Sequence, residues 1–270
     1  MGRLAFGVEY DGSKLVGWQA QREGRSVQTC LQDALSTVAD ENLSVICAGR
    51  TDAGVHATAQ VVHIDTGVER SQRGWILGGN SNLPDDINLY WARPVGDQFH
   101  ARFSALSRTY QYLILNRSER SALWHRRTSW VRESLDADAM RLGAKFLLGE
   151  HDFSSFRASG CQAKTPVRTI ERLDVERRGD LVSIVITADA FLHHMVRNIA
   201  GTLIRIGRGD ADPGWAAEAL AAQSRSSAGM TASASGLYLV GVAYDKKHGL
   251  PDNVVPAHLF HCRIDGAGQY

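Results

Sequence analysis

Apolar and polar residues change their period several times along the chain, and each change marks an element. Leu4, Phe6 and Val8 alternate with smaller or polar neighbours between Arg3 and Tyr10, and the run stops at Asp11-Gly12, which predicts a strand closed by a turn. From Val27 to Ala39 the apolar positions fall at 27, 31, 34, 35 and 38, a helical spacing with Ser26 placed to cap it. Strand patterns follow at 44–48 and 59–65, then a short helix at 73–82 and a strand at 87–95. The second half carries a strand at 108–115, a helix at 137–148 and a hairpin of 168–178 with 181–189 that turns at Gly179-Asp180. Helices at 192–206 and 215–223 and a last strand at 237–244 complete it.

Up to residue 95 this succession is β-α-β-β-α-β, the split pattern of ferredoxin-like domains, and the second half repeats the theme with longer elements. The expected fold is α+β: two ferredoxin-like (RRM-like) halves sharing an open, mainly antiparallel sheet, with helices on one side and the active site in the cleft between the halves. Residues 1–104 and 105–245 form the halves. Residues 246–270, rich in Pro, Gly and His, read as a loosely packed tail.

At 270 residues and 44% hydrophobic, the chain has the means to bury a large core, which excludes a disordered protein. It contains no run of eighteen apolar residues, and the N-terminus enters a strand pattern at once, so a soluble, unprocessed, cytoplasmic protein is expected. Cys30, Cys47, Cys161 and Cys262 are scattered without a C-x-x-C pair and read as reduced thiols. A net charge of +1 argues against coating nucleic acid by bulk charge. Between Arg102 and Arg132, however, Arg102, Arg108, Arg117, Arg120, Arg126, Arg127 and Arg132 face a single acid, Glu119. Such a local basic stripe suits a polyanion held at one site.

The densest chemistry is the stretch AGRTDAGVHA at 48–57. An Asp in a glycine-bearing loop is most often a turn or cap residue. Here Arg50 lies two residues from Asp52, where it could hold a carboxylate ionised and oriented, and Gly49 and Gly54 would let a substrate approach the backbone. Such a carboxylate could act as nucleophile or general base. His56 reads as a structural residue of the loop. Tyr110 and Tyr112 share a strand face with Arg108, which suits core packing or a stacking platform for an unstacked base. On the helix expected from Leu192, His193, Arg197 and Gly201 form one line. The adjacent His193 and His194 would then point about 100° apart, which disfavours a shared metal ion. His258-x-x-His261-Cys262 lacks an evident fourth ligand. No metal or cofactor is expected.

Six segments in order resemble the tRNA pseudouridine synthase A family: YDGSKLVGWQAQ (10–21), AGRTDAGVHA (48–57), FHARFSALSRTYQYLI (99–114), GEHDFSSF (149–156), FLHHMVRNIAGTLIRIGRG (191–209) and SAGMTASASGLYLVGVAY (227–244). The resemblance implies an isomerase that converts uridine to pseudouridine in the anticodon stem-loop of tRNA, at the positions the family calls 38, 39 and 40. It implies Asp52 as the catalytic aspartate, Tyr110 as the ring that stacks on the target base, Arg50 as an aid to expelling that base, Arg197 as the partner of the carboxylate and Leu237 as an apolar wall. Arg108 is expected at the substrate beside Tyr110. The resemblance further implies a homodimer that needs no metal or organic cofactor. The sequence departs from the family's usual pattern at Ser233, often a proline, and at GGNSNLP (78–84), usually similar to LNSLLP. Two other readings of the residues stay open: a non-catalytic RNA-binding module of RRM-like type, and a metal hydrolase working through the histidines.

Overall fold

The computed structural model describes residues 2–251 together with Val254, Val255 and Ala257. Its first part runs β1 (Gly2–Tyr10), α1 (Val27–Ala39), β2 (Ile46–Cys47), β3 (His56–Thr66), α2 (Gln72–Asn82) and β4 (Ile87–Val95). The second runs β5 (Ala105–Asn116), β6 (Ser129–Val131), α3 (Ala137–Lys145), β7 (Gly149–Asp152), β8 (Val167–Arg178), β9 (Leu181–Ala188), α4 (Met195–Gly207), α5 (Trp215–Ala221) and β10 (Leu237–Tyr244). The helices start where capping side chains allow. Ser26 Oγ accepts the Thr29 N–H ahead of α1, Ser71 Oγ accepts the Gly74 N–H ahead of α2, and Asp136 caps α3.

All ten strands among the described residues join one mixed sheet in the order β4-β1-β3-β10-β5-β9-β8-β7, with β2 added to β3 and β6 to β5. Within the first part the order is β4-β1-β3-β2, and within the second β10-β5-β9-β8, so the same arrangement arises twice. The two meet at a narrow parallel seam. β3 pairs with β2 at His63 and Val62, while at its first residues His56 lies opposite Tyr238 and Ala57 opposite Leu239 of β10. The loop between β2 and β3 therefore emerges at the join.

One apolar cluster takes Leu31 and Leu35 from α1, Trp75 from α2, Met140 from α3, Leu203 from α4 and Ala216 from α5 onto Phe6, Val62, Tyr112 and Leu239 of the sheet. Leu113, Tyr238 and Val240, of opposite pleat parity, form a smaller cluster with Ala257. No helix among the described residues is long and apolar enough to cross a membrane. Cys30, Cys47 and Cys161 are free thiols, and burial pushes the Cys47 thiol up to about 12; Cys262 lies outside the described residues.

Several sequence expectations need correction. The helix expected from Leu192 begins at Met195, because His194 adopts a left-handed backbone (φ 61) and breaks the turn before it. The helix expected to 148 stops at Lys145, and the strand expected at 44–48 is reduced to Ile46–Cys47. Strands β6 and β7, of three and four residues, are too short to show a period. The start of the tail is packed rather than loose: Val255 N–H donates to Val240 O (2.8 Å), and Ala257, 3% exposed, donates to Gln111 Oε1 (2.9 Å). The His258, His261 and Cys262 cluster lies outside the described residues. The unusual GGNSNLP does not interrupt α2. Asn80 makes paired bonds to the backbone of Leu89 on β4 (2.8 and 2.9 Å), so its side chain stitches helix to edge strand. Ser233 keeps at the turn before β10 a φ of −55, the value a proline would also impose, and its side chain accepts the Ser235 N–H.

Candidate active site

The β2–β3 loop is held by its backbone from both sides. Gln60, fully buried on β3, donates to Gly49 O (2.6 Å) and accepts from Gly49 N–H (3.3 Å). Trp18 N–H donates to Thr51 O (2.9 Å), and the Thr51 hydroxyl meets Tyr10 Oη at 2.8 Å. Gly12 lies so close to Val55 that a Cβ there would fall 2.0 Å from Val55 O. Buried polar contacts of this kind fix a loop because each group left unpaired would cost about 1–3 kcal/mol. His56 belongs to this scaffold. Its ring stacks on Tyr238 at 4.5 Å, its Nε2 meets Arg126 O at 2.9 Å, and its Nδ1 accepts the Gly12 N–H at 3.1 Å.

The loop thereby presents Asp52 across the seam to the segment 193–197 of the second part. Arg197 Nη1 lies 3.4 Å from Asp52 Oδ2, His194 Nε2 3.2 Å from Oδ2, and His193 Nε2 3.4 Å from Oδ1. The carboxylate keeps 32% of its side-chain surface exposed, so it is gripped and still reachable. Arg197 is fixed in turn. Its Nε donates to Ala232 O (2.8 Å), and Ala232 N–H returns a bond to Arg197 O (3.1 Å). That loop approaches α4 at Gly201, where any Cβ would fall 1.7 Å from Met230 O. The line of Arg197 and Gly201 expected on one helix face is thus real, its small residue admitting a backbone.

The histidines correct the sequence reading. They precede the helix rather than riding on it, their rings lie 4.0 Å apart, and one ligand atom from each lies with an Asp52 oxygen inside a 4.8 Å triangle. Nothing in the helical period signals this, because the left-handed residue His194 resets the direction of the chain. Arg50 is corrected too. It is exposed and makes no hydrogen bond or ion pair among the described residues; orientation of Asp52 falls to Arg197. Two residues apart in a loop without a cap between them, Arg50 and Asp52 have no reason to pair. Arg108, expected at the substrate, donates from its guanidinium to backbone carbonyls: Asp189 O (3.0 Å), Ala48 O (3.0 Å) and Arg102 O (2.7 Å). It clamps the entry to the Asp52 loop.

Tyr110 lies beside that loop, 8% exposed, with its hydroxyl 3.6 Å from where a Gly49 Cβ would stand and its ring edge-on to Phe191 at 5.0 Å. Burial raises its phenol well above the ordinary range, and the nearby Asp52 charge adds to this while Arg108 opposes it. Leu237, 6% exposed, opens β10 opposite Tyr112, and its neighbour on the same face, Leu239, pairs with Tyr110. Burial lowers the His194 imidazole below its usual range, against the pull of Asp52. Two surface cavities of about 710 and 390 Å³ lie elsewhere, the second against Tyr10, Asp11 and His56. A neutral tyrosine, an anchored carboxylate and an open approach are what a large substrate with one inserted base would require.

A family model described as tRNA pseudouridine synthase matches residues 7–104 and 144–245, segments that contain Asp52, His193, His194, Arg197 and Leu237. Similar relatives include the protein named tRNA pseudouridine synthase A of Nitrosococcus oceani, 54% identical over 249 residues, covering 92% of this chain and 96% of its own. The protein of the same name from Methylococcus capsulatus is 51% identical over 257 residues, covering 95% of each chain. A chain of the solved structure titled "Crystal Structure of a Cbf5-Nop10-Gar1 Complex" aligns at TM-score 0.39 and 11% identity over 88% of this chain and 49% of its own, a likeness too loose to add weight. With most of its length matched, the loop of Asp52 and the helix of Arg197 included, the chain belongs to the tRNA pseudouridine synthase family.

Proposed function

We propose that the protein isomerises uridine to pseudouridine in the anticodon stem-loop of tRNA, at positions 38, 39 and 40, with Asp52 as the reacting carboxylate. The observation that carries this is the convergence of Arg197, His193 and His194 on Asp52 from across the sheet seam. In the reaction the N1–C1′ bond breaks, a C5–C1′ bond forms to the same base, and the proton on C5 is replaced by one on N1. Atoms and electrons balance without a redox partner, so one oriented carboxylate suffices. The reacting step of Asp52 is attack at C1′, removal of the C2′ proton or addition to C6.

A stem uridine must first leave its stack, at a cost of a few kcal/mol. Stacking on Tyr110, walled by Leu237, would offset that cost, and the exposed Arg50 is free to fill the vacated space. Arg108 acts by holding the loop. The repeated strand order supports two ferredoxin-like halves, 1–104 and 105–245, with the reactive cleft between them. The protein is further taken to work in the cytoplasm as a homodimer. Mapping pseudouridines in tRNA from cells with and without the protein tests the assignment. Loss confined to positions 38–40 is expected; an unchanged map would refute it.

A further inference from the structure

We propose that Asp52, His193 and His194 form a binding site for a borderline divalent transition cation such as Zn²⁺, and that occupancy shuts the reactive cleft. Two nitrogens and a carboxylate oxygen are the donor set such ions favour over Mg²⁺ or Ca²⁺. The spacing also fits. Zinc bonds of about 2.0–2.1 Å in a tetrahedron place neighbouring ligand atoms about 3.3–3.4 Å apart. His193 Nε2 lies 3.4 Å from Asp52 Oδ1 and His194 Nε2 3.2 Å from Oδ2, so whichever oxygen binds already has one imidazole at the required spacing, and one ligand atom from each of the three residues lies within 4.8 Å of the others. Small rotations of the two rings and the carboxylate close the remaining edges. All three side chains are partly exposed, at 32% for Asp52, 43% for His193 and 27% for His194, so an ion can enter and a fourth position stays open to water.

Arg197, 3.4 Å from the same carboxylate, opposes a second cation. Its charge weakens the site relative to structural zinc sites, which four protein ligands close. An ion held there would neutralise Asp52 and occupy the place of the everted base, so metal and tRNA would exclude one another. The binding claim stands on the cluster's geometry alone and is read without catalysis, so its failure and that of the proposed reaction are separate results.

The full-length protein in metal-free buffer, titrated with Zn²⁺ by calorimetry and with Co²⁺ by visible absorption, tests the site. One ion per chain at micromolar concentration, a four-coordinate cobalt spectrum, and release by excess tRNA are expected. Affinity should fall at least tenfold in His193→Ala/His194→Ala, and likewise in Asp52→Asn, which keeps its shape should the double variant fail to fold. A chain with His258→Ala, His261→Ala and Cys262→Ser should bind as before. Absence of binding at micromolar Zn²⁺, or binding lost only in that last chain, overturns the proposal.

Discussion

Asp52 touches three nitrogen-bearing side chains, but only Arg197 is itself bonded in two directions, to Asp52 and to Ala232 O. A planar fork serves the two acceptors from separate, rigidly spaced nitrogens, whereas an ammonium would have to reach both from one atom on a flexible stem. Arg197→Lys is therefore expected to slow pseudouridine formation at least about tenfold, or about 1.4 kcal/mol, with the melting temperature little changed. Single-turnover kinetics beside a thermal melt measure both, and an unimpaired rate would show that charge alone suffices. Legibility at this scale was uneven. Asp52 and Arg197 follow from motifs, but the two histidines do not, since their convergence depends on one positive φ that side-chain periodicity does not encode.

At the level of elements, β1, α1 and β8–β9 were legible because each carries enough periodic apolar positions to declare its face. The short strands β6 and β7 and the start of α4 were not. β6 is set by a partner distant in sequence, the backbone of Leu115 on β5, and the start of α4 by the left-handed backbone of His194; farther along α4 the loop 230–232 closes on Gly201. That contact yields a prediction. Gly201→Ala places a methyl group on a backbone oxygen that has no side-chain freedom to yield, so the loop 230–232 must move and carry Ala232 away from Arg197. A stability loss of about 1–3 kcal/mol by denaturant titration, with a fall in activity beyond that expected from unfolded protein, is the anticipated outcome. A variant as stable and active as the parent would mean that the close approach has no part in positioning Arg197.

For the molecule as a whole, the repeated strand order explains why two similar parts build one site: each supplies one strand, β3 and β10, to a short parallel join that brings a loop from one to a helix of the other. The core beneath also sets a pH response. His63 on β3 is 1% exposed, its Nδ1 accepts the Ala101 N–H, and burial with the nearby Arg3 charge lowers its pKa to about 4. Between the unfolded value of 6.5 and about 4 the unfolded chain binds the extra proton, so His63 makes stability fall as pH drops through that window. Urea titrations across it should show that fall and its flattening in His63→Gln. The central claim is tested most directly by quantifying pseudouridine at positions 38–40 of unmodified tRNA treated with matched amounts of parent protein and Asp52→Asn. The parent should form it, and the variant should form none while binding tRNA within about tenfold, about 1.4 kcal/mol; formation at the parental rate by Asp52→Asn would contradict the account.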